Sequence, residues 1–132
     1  ISGVDYPENL YRFQVVYELL SLKFNSRIWI KILVNEITSL SSVEKIFYAA
    51  SWWESEIWDM FGVFFLNQYN LVRLLTDYGF QGYPLRKDFP LNGFTESRYN
   101  VKKNRVVYEN IDLAQEYRTF ELISPWENYK KK

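Results

Sequence analysis

The chain has 132 residues, of which 48% are hydrophobic and 20% aromatic, and its 16 basic residues balance its 16 acidic ones. This size suits one domain with its own core, the apolar content excludes a disordered chain, and the zero net charge disfavours a nucleic-acid-binding protein. Cysteine and histidine are absent, which excludes cysteine-ligated clusters, makes zinc or haem unexpected and leaves no Ser-His or Cys-His nucleophile. The composition argues against an enzyme that acts alone.

Two strands are predicted in the first third of the chain. Apolar residues alternate with polar ones over Tyr11–Leu19, and again over Ile28–Val34, with the period of two that half-buried strands show. Asn25-Ser26 offers a turn between them. The pattern predicts an antiparallel hairpin over residues 11–34, preceded by an irregular lead-in at residues 5–9.

An amphipathic helix is predicted next, over residues 42–61. Ser41, with Glu44 three residues later, forms a capping-box pattern, and Gly62 supplies a C-terminal stop. At about 100° per residue, the apolar side chains of this segment fall on one stripe centred near Ala50. The stripe consists of Val43, Ile46, Phe47, Ala50, Trp53, Ile57, Met60 and Phe61.

Two residues of this helix depart from the amphipathic pattern. Glu54 lies about 40° from the centre of the apolar stripe, so we expect a buried carboxylate that pairs with Arg73 or Arg86. Trp52 lies on the polar side of the helix. Its position indicates either a contact to another chain or packing beneath a local loop.

The carboxylates of the helix raise one catalytic alternative. Glycosidases use paired carboxylates, and the neighbouring tryptophans would suit the stacking of a sugar. However, Glu54 and Glu56 are two positions apart on a helix and point in different directions. We therefore favour a paired Glu54 in the core, with Glu56 and Asp59 as solvated acids.

A motif loop is predicted over residues 63–91. Val63–Leu66 has the pattern of a short buried strand, and Leu71–Leu75 that of either a helical turn or the start of a strand. Two glycines and a proline within Thr76–Pro84 indicate a structured loop. For the charged run Arg86–Asp88, a local salt-bridged turn is favoured over a ligand site.

The remainder, residues 92–132, is predicted as an extended C-terminal arm. Only Arg105–Glu109 has the pattern of a strand, and so little internal structure over this length is unusual inside a compact domain. The arm is nevertheless too rich in aromatic residues for a disordered linker. We therefore expect it to become ordered by lying over neighbouring subunits.

Four motifs in a fixed order resemble one protein family. They are Trp58-Asp59-Met60-Phe61-Gly62-Val63, Leu74-Leu75-Thr76-Asp77-Tyr78-Gly79-Phe80, Pro84-Leu85-Arg86-Lys87-Asp88-Phe89-Pro90-Leu91 and Glu96-Ser97-Arg98-Tyr99. Together they resemble the thirty-kilodalton subunit of respiratory complex I, the proton-pumping NADH:ubiquinone oxidoreductase, from about Asp5 to Ser124-Pro125-Trp126-Glu127. The chain departs from this family at Ser55, where members usually have Arg, and at Gln68-Tyr69, where they commonly have His-Pro. It also departs at Tyr83, where they commonly have His, and at Val72, where an Arg usually precedes the Arg at position 73.

The resemblance implies an α+β fold, in which a small antiparallel or mixed sheet packs on an amphipathic helix and a long extended C-terminal arm follows. It implies a non-catalytic structural subunit of the peripheral arm that binds no cofactor itself and braces the quinone-site and iron–sulfur subunits. FMN and iron–sulfur clusters would lie in neighbouring subunits. For the family's N-terminal portion two alternatives stay open: a separate chain supplies it as a further partner, or it has been dispensed with. The residues expected at the interface or in its support are Trp52, Glu54, Glu56, Arg73, Asp77, Arg86, Lys87, Asp88, Arg98 and Trp126.

The resemblance implies a location on the matrix side of the mitochondrial inner membrane. A composition heavy in Phe, Tyr, Ile, Asn and Lys is compatible with a mitochondrially encoded member. No apolar run approaches the roughly 20 residues that span a bilayer, and the given sequence opens with no leader pattern, so no transmembrane segment is expected. The alternative function is a free-standing binding or scaffold module of the same fold outside the respiratory chain.

Overall fold

The computed structural model describes residues 1–122 and 124–126. The chain divides into two compact units, the first covering residues 1–93 and the second beginning at Phe94. The elements are β1 (Ser2–Asp5), β2 (Phe13–Ser21), β3 (Ser26–Val34), β4 (Leu40–Ser41), α1 (Ala50–Phe61), β5 (Phe65–Leu66), β6 (Thr95–Asn100) and β7 (Arg105–Asn110). Antiparallel sheets combined with a helix confirm the predicted α+β class.

The main sheet of the first unit has three antiparallel strands in the order β1-β2-β3. β2 and β3 occupy the region of the predicted hairpin and pair without interruption from Phe13↔Val34 to Ser21↔Ser26. Sequence alternation did not reveal β1, which is four residues long and pairs with β2 from Ser2↔Val16 to Asp5↔Phe13. The irregular lead-in therefore begins after Asp5 and not at it.

The helix is shorter than predicted, because α1 spans Ala50–Phe61 and not residues 42–61. Ser41 does not cap it, since this residue belongs to β4, which pairs in parallel with β5. Ser42 instead starts an isolated turn, in which its Oγ accepts a hydrogen bond from the N–H of Glu44 at 3.1 Å. A capping-box pattern thus begins a turn here, and the helix itself starts only at Ala50, with no side-chain cap.

The hydrophobic core lies between the inner face of the main sheet and α1. Phe13 of β2 meets Phe61 of α1 edge-on, with ring centroids 6.3 Å apart. Gly3 of β1 lies so close to the helix that a Cβ atom there would stand 2.8 Å from the Phe61 ring. The core consists of Phe13, Val15, Tyr17, Val34, Leu40, Ile57, Met60, Phe61, Val63 and Phe65.

The predicted apolar stripe is buried only within α1 and not along the segment before it. Ala50, Ile57, Met60 and Phe61 are buried, whereas Trp53 is half exposed. Val43 lies at the edge of the core, and Ile46 and Phe47 of the preceding turn are exposed. The helical period therefore identified the side of the segment that faces inward but overestimated how far the core extends.

The motif loop contains less regular structure than predicted. Its strand, β5, is limited to Phe65–Leu66, and Leu71–Leu75 forms neither the helical turn nor the strand start that the pattern allowed. Side chains described below hold this segment in place instead of a backbone ladder.

The second unit contains a β-hairpin. β7 extends the predicted strand by one residue, to Asn110, and pairs antiparallel with β6, which sequence analysis missed, from Thr95↔Asn110 to Asn100↔Arg105. β6 is not predicted from the sequence because its residues, Thr-Glu-Ser-Arg-Tyr-Asn, are largely polar. They show no alternation of apolar and polar side chains. The end of the predicted arm, including Glu127 of the closing motif, lies outside the described residues. Within the described residues, no helix has both the length and the apolar character needed to cross a membrane.

Candidate functional site

Arg12 lies directly before β2 and is the centre of an ion network in the first unit. Its guanidinium group donates to both carboxylate oxygens of Asp5, at 2.8 and 3.0 Å. It also donates to Glu36 at 2.9 Å and to Asp88 at 2.7 Å. Asp5, which is buried, accepts a further hydrogen bond of 2.8 Å from the backbone N–H of Lys87. This Arg12 network (Arg12, Asp5, Glu36 and Asp88) joins β1 and the start of β2 to the motif loop.

The network fixes the charges of Asp5, Arg12 and Asp88. Burial acts to raise the pKa of Asp5, but hydrogen bonds from Arg12 and from the Lys87 N–H outweigh it, so that this pKa is lowered. The hydrogen bond from Arg12 likewise lowers the pKa of Asp88. Hydrogen bonds to Asp5 and then Asp88 raise the pKa of Arg12. All three groups are therefore charged at neutral pH.

Arg86 lies beside the network and is held by groups from three parts of the first unit. Its Nε donates to the carbonyl oxygen of Phe61, at the end of α1, at 2.7 Å, and its Nη1 donates to Glu36 at 3.3 Å. The guanidinium carbon lies 4.6 Å from the ring centroid of Tyr83 and 5.0 Å from that of Phe13, within the range of cation–π attraction. Arg86 therefore ties the motif loop to both the helix and the sheet.

The prediction of a local salt-bridged turn at Arg86–Asp88 is wrong in its partners. A turn is present, since the N–H of Phe89 donates to the carbonyl oxygen of Arg86 at 3.0 Å. However, its charged groups bind residues far upstream, because Asp88 pairs with Arg12 and the Lys87 backbone with Asp5. The charged run therefore joins the motif loop to residues near the N-terminal end of the first unit.

Asp59 of α1 anchors the segment that follows β5. Its carboxylate is 0% exposed and accepts hydrogen bonds from Thr76 Oγ1 at 2.6 Å and from the N–H groups of Leu75 and Thr76 at 2.8 and 2.9 Å. Burial acts to raise its pKa, but these hydrogen bonds and the charge of Arg73, 3.8 Å away, lower it. The prediction of a solvated Asp59 is wrong, because residues far along the chain cover this side of the helix.

Glu54 is also fully buried, but its predicted arginine partner is wrong. Its carboxylate accepts hydrogen bonds from Ser42 Oγ at 2.7 Å and from the N–H of Val43 at 2.8 Å. The Glu54 carboxylate therefore accepts hydrogen bonds from the turn that precedes α1. The helix itself has no side-chain cap. Burial, and then the nearby charge of Glu54, raise the pKa of Tyr17 to about 12.

Arg73 organises the glycine-containing part of the motif loop. Its Nη1 donates to the carbonyl oxygens of Phe80 and Gly82, at 3.1 and 3.0 Å, and its guanidinium carbon lies 5.0 Å from the Tyr83 ring centroid. Within the same segment, the exposed Asp77 accepts a hydrogen bond from the N–H of Tyr78 at 2.8 Å. The structured loop predicted for this stretch is thus held mainly by one arginine.

Trp52 is 70% exposed on α1, so it does not pack beneath a local loop. With Trp53, the half-buried Glu56 and two leucines of the motif loop, Leu74 and Leu75, it lines a shallow apolar pocket of about 220 Å³. This surface contains no charged group other than Glu56. It has the character expected of a contact to another chain.

The remaining two predicted residues lie in the second unit. Arg98 of β6 donates to Glu109 of β7 at 2.6 Å across the hairpin. Trp126 is exposed at the end of the described chain. The structure therefore brings Arg86, Lys87 and Asp88 into contact with members of the Arg12 network and places Trp52 and Glu56 at one pocket.

Two of the positions at which the chain departs from the pattern of the resembled family, Ser55 and Gln68, are in contact. Gln68 Nε2 donates to Ser55 Oγ at 3.0 Å and to the carbonyl oxygen of Ser51 at 2.9 Å. A neutral amide and a hydroxyl group thus form a hydrogen-bonded pair at these two positions.

Sequence analysis missed the centre of the ion network. Arg12, Asp5 and Glu36 were not singled out, because each is an ordinary polar residue at the end of a strand or in a loop. Asp88 lies 76 positions from Arg12, so no local pattern connects them. The nearest available signal was the position of Arg12 on the polar side of the alternation, beside the start of a strand.

Comparison with known proteins now identifies the family. The model of a family described as "Respiratory-chain NADH dehydrogenase, 30 Kd subunit" matches residues 1–95. The chain belongs to this family. The match covers the whole first unit, and with it the Arg12 network and both buried acids of α1, so the membership implied by the four motifs is confirmed.

Several members of the respiratory-chain NADH dehydrogenase 30 Kd subunit family are closely similar. NADH dehydrogenase (ubiquinone) iron-sulfur protein 3 of Solanum tuberosum is 56% identical over 127 residues, which cover 96% of this chain and 67% of the relative. NADH-ubiquinone oxidoreductase subunit 9 of Prototheca wickerhamii is 55% identical over 131 residues, covering 99% of this chain and 68% of the relative. The chain thus spans about two thirds of the length of these relatives.

Proposed function

We propose that the chain is a non-catalytic structural subunit of respiratory complex I, which transfers electrons from NADH to ubiquinone and translocates protons. It would lie in the peripheral arm, on the matrix side of the mitochondrial inner membrane. The observation that carries this proposal is that charged residues of the family motifs bind other groups of the same chain. Arg73, Arg86 and Asp88 are each bound to groups of the chain itself, so they serve the fold and the surface it presents.

The directions of the pKa shifts support a role without proton transfer. The carboxylates of Asp5, Asp59 and Asp88 have lowered pKa values, and the pKa of Tyr17 is raised to about 12. A general acid or base works best when its pKa lies near the working pH. The surroundings of each of these four groups instead move its pKa further away from neutral pH.

The cofactors of the enzyme belong, in this proposal, to other subunits. The sequence has no cysteine and no histidine, the residues that ligate protein iron–sulfur clusters. FMN and the clusters would lie in neighbouring subunits. The partners in this proposal are the quinone-site and iron–sulfur subunits.

Substitution of Arg86 by Ala tests the structural role. It removes the bonds to Phe61 and Glu36, so we expect a reduced amount of assembled complex I on native gels, roughly half or less. The NADH:ubiquinone reductase rate per assembled complex should be unchanged. Lys102→Ala, at an exposed turn position between β6 and β7, is the control and should leave the abundance normal.

Two results would contradict the proposal. Normal abundance with normal quinone reductase activity in Arg86→Ala would remove the assigned role of the motif. Full assembly with slow turnover would indicate a part in the reaction itself. If the unmodified chain migrates as a small free species, the alternative function as a scaffold module outside the respiratory chain gains support.

A further inference from the structure

Asn92-Gly93 is the only place in the sequence where asparagine precedes glycine. The side-chain carbonyl carbon of an asparagine can react with the backbone nitrogen of the next residue, because the two atoms can close a small ring. Glycine has no Cβ atom, so its nitrogen is the least crowded and its backbone is the least restricted in φ and ψ. Residue 92 is therefore the asparagine of this chain with the most reactive neighbour.

Asn92 lies in a tight turn at the end of the first unit. The turn runs from Pro90 to Gly93, and the N–H of Gly93 donates to the carbonyl oxygen of Pro90 at 3.0 Å, as in a hydrogen-bonded β-turn. Asn92 occupies the third position of the turn and is exposed. The reacting nitrogen is thus held by one hydrogen bond of a surface turn, and bonds of this kind open frequently in the folded state.

The space around Gly93 is open. Its φ is 71°, in the left-handed region, and a Cβ atom built on it would meet nothing within 4 Å. Little therefore resists the rotation that brings the Gly93 nitrogen to the Asn92 side chain. The features that favour the reaction all belong to four consecutive residues, 90–93.

Two other turn asparagines have the opposite surroundings. Asn25 and Asn104 lie in the turns of the two hairpins, with φ of 47° and 48°. Each is followed by the first residue of a paired strand, Ser26 of β3 or Arg105 of β7. The next nitrogen along the chain is therefore crowded by a Cβ atom and belongs to a residue that strand pairing holds in place.

We propose that Asn92 is a site of spontaneous deamidation and isomerisation in the folded chain. The Gly93 nitrogen gives up its proton and bonds to Cγ of Asn92. The Cγ–Nδ2 bond breaks, and Nδ2 leaves with that proton as ammonia. Water then opens the succinimide ring: attack at Cγ gives aspartate, and attack at the main-chain carbonyl carbon gives isoaspartate, in which the main chain runs through Cβ and Cγ.

The products change the chain where the first unit ends. Both carry a carboxylate in place of a neutral amide, directly before the unit that begins at Phe94. Isoaspartate also lengthens the main chain inside the turn, which shifts the Gly93 N–H relative to the carbonyl oxygen of Pro90. The modification needs only water and the chain itself, so it does not rest on the proposed function.

Peptide mapping of the aged full-length chain tests the proposal. The folded protein is incubated at physiological temperature and pH, and each asparagine-containing peptide is analysed by mass spectrometry with fragmentation that separates aspartate from isoaspartate. We expect Asn92 to convert roughly tenfold or more faster than Asn25 and Asn104, because only its neighbour lacks a Cβ atom. Isoaspartate should accompany aspartate at residue 92, since direct hydrolysis of the amide gives aspartate alone.

Two variants serve as controls. Gly93→Ala adds a methyl group that meets nothing within 4 Å, and it should slow the conversion roughly tenfold or more. Asn92→Gln, whose longer side chain would have to close a larger ring, should give no product over the same period.

Three results would overturn the inference. The first is survival of Asn92 for as long as Asn25 and Asn104. The second is conversion only after the chain has been unfolded in urea, because the folded turn would then protect the residue. The third is aspartate without isoaspartate, which would exclude the ring.

Discussion

Asp5 and Asp59 show how buried carboxylates stabilise this chain. Each accepts several hydrogen bonds, and each is accompanied by a single arginine, Arg12 or Arg73. The donors come from segments that have no strand or helix of their own, so the two acids replace the backbone ladder that those segments lack. A buried charge of this kind stabilises the fold only while it stays ionised.

Replacement of Asp59 by Asn should therefore destabilise the protein in a pH-dependent way. The amide would present hydrogen-bond donors to the N–H groups of Leu75 and Thr76, at a cost of about 2–3 kcal/mol at pH 7. Because the pKa of Asp59 is lower in the folded state than its usual value of about 3.9, its stabilisation is complete above pH ~4 and is lost as the pH falls through the folded-state pKa.

Urea unfolding monitored by circular dichroism at a series of pH values measures this difference. The gap between wild type and Asp59→Asn should narrow as the pH is lowered below about 4. Asp112→Asn, at an exposed position of the second unit, serves as the control and should track the wild type throughout. A gap that stays constant down to the most acidic pH would mean that the ionisation of Asp59 contributes nothing.

The limits of sequence analysis are also clearest at single residues. The angular position of Glu54 on the helix correctly predicted a carboxylate near the apolar side, yet its partners, Ser42 and Val43, became available only because the chain turns before the helix starts. Arg12 had no distinguishing pattern at all. Its role arises from three acids that the fold brings together.

Helix α1 connects the layers of the first unit. Its buried face covers the sheet, and Asp59 binds the segment after β5. Its last carbonyl group, that of Phe61, binds Arg86. At its C-terminus Gly62 has a φ of 79°, in the left-handed region, and its N–H donates to the carbonyl oxygen of Trp58. The end of the helix and the position of Arg86 are thus set by the same glycine.

Two glycine substitutions separate backbone strain from loss of space at this helix end. A Cβ atom at Gly62 would stand 2.7 Å from Arg86 Nη2 and from the Tyr83 ring, whereas one at Gly79, with a φ of 70°, would meet nothing within 4 Å. We expect Gly79→Ala to cost about 1 kcal/mol, from left-handed strain alone. Gly62→Ala should cost roughly 3 kcal/mol, because displacement of Arg86 is added to the strain.

The free energies of unfolding in urea give this comparison directly. Equal losses for the two variants would show that Arg86 and Tyr83 move aside at no cost, and that the packing around Gly62 is not restrictive. The same assay on Gly62→Asn is informative, since Asn tolerates the left-handed region better than Ala but brings the same crowding.

The secondary structure was predictable where one local pattern decided it. β2, β3, β7 and the C-terminal half of the helix follow from alternation or from the helical period. Failures occurred where longer-range contacts competed with a local signal. The capping-box pattern at Ser41 was overridden by strand pairing with β5, and the polar strand β6 is defined by its partner across the turn.

At the scale of the whole molecule, the first unit contains its own core and its own ion network. Every residue of the hydrophobic core lies between Phe13 and Phe65, and the Arg12 network ends at Asp88. The first unit therefore has what a small domain needs for independent stability, even though its size makes that stability modest.

A fragment of residues 1–93 should accordingly fold without the second unit. We expect a single cooperative transition in urea and a near-ultraviolet circular dichroism spectrum that shows ordered Trp58, which packs edge-on against Phe64 and Tyr83. A fragment that ends at residue 80, before Arg86 and Asp88, is the matched control and should lack this transition. Gradual, non-cooperative unfolding of the longer fragment would contradict the prediction.

The sequence separation within the Arg12 network has a consequence for the order in which the chain folds. The hydrogen bond from Lys87 to Asp5 closes a loop of 82 positions, and the ion pair of Arg12 with Asp88 one of 76. Contacts this distant along the chain form late. During synthesis, β1, β2 and β3 leave the ribosome before the residues that complete the network. The contacts of residues 86–88 are therefore the last part of the ion network to become available to the nascent sheet.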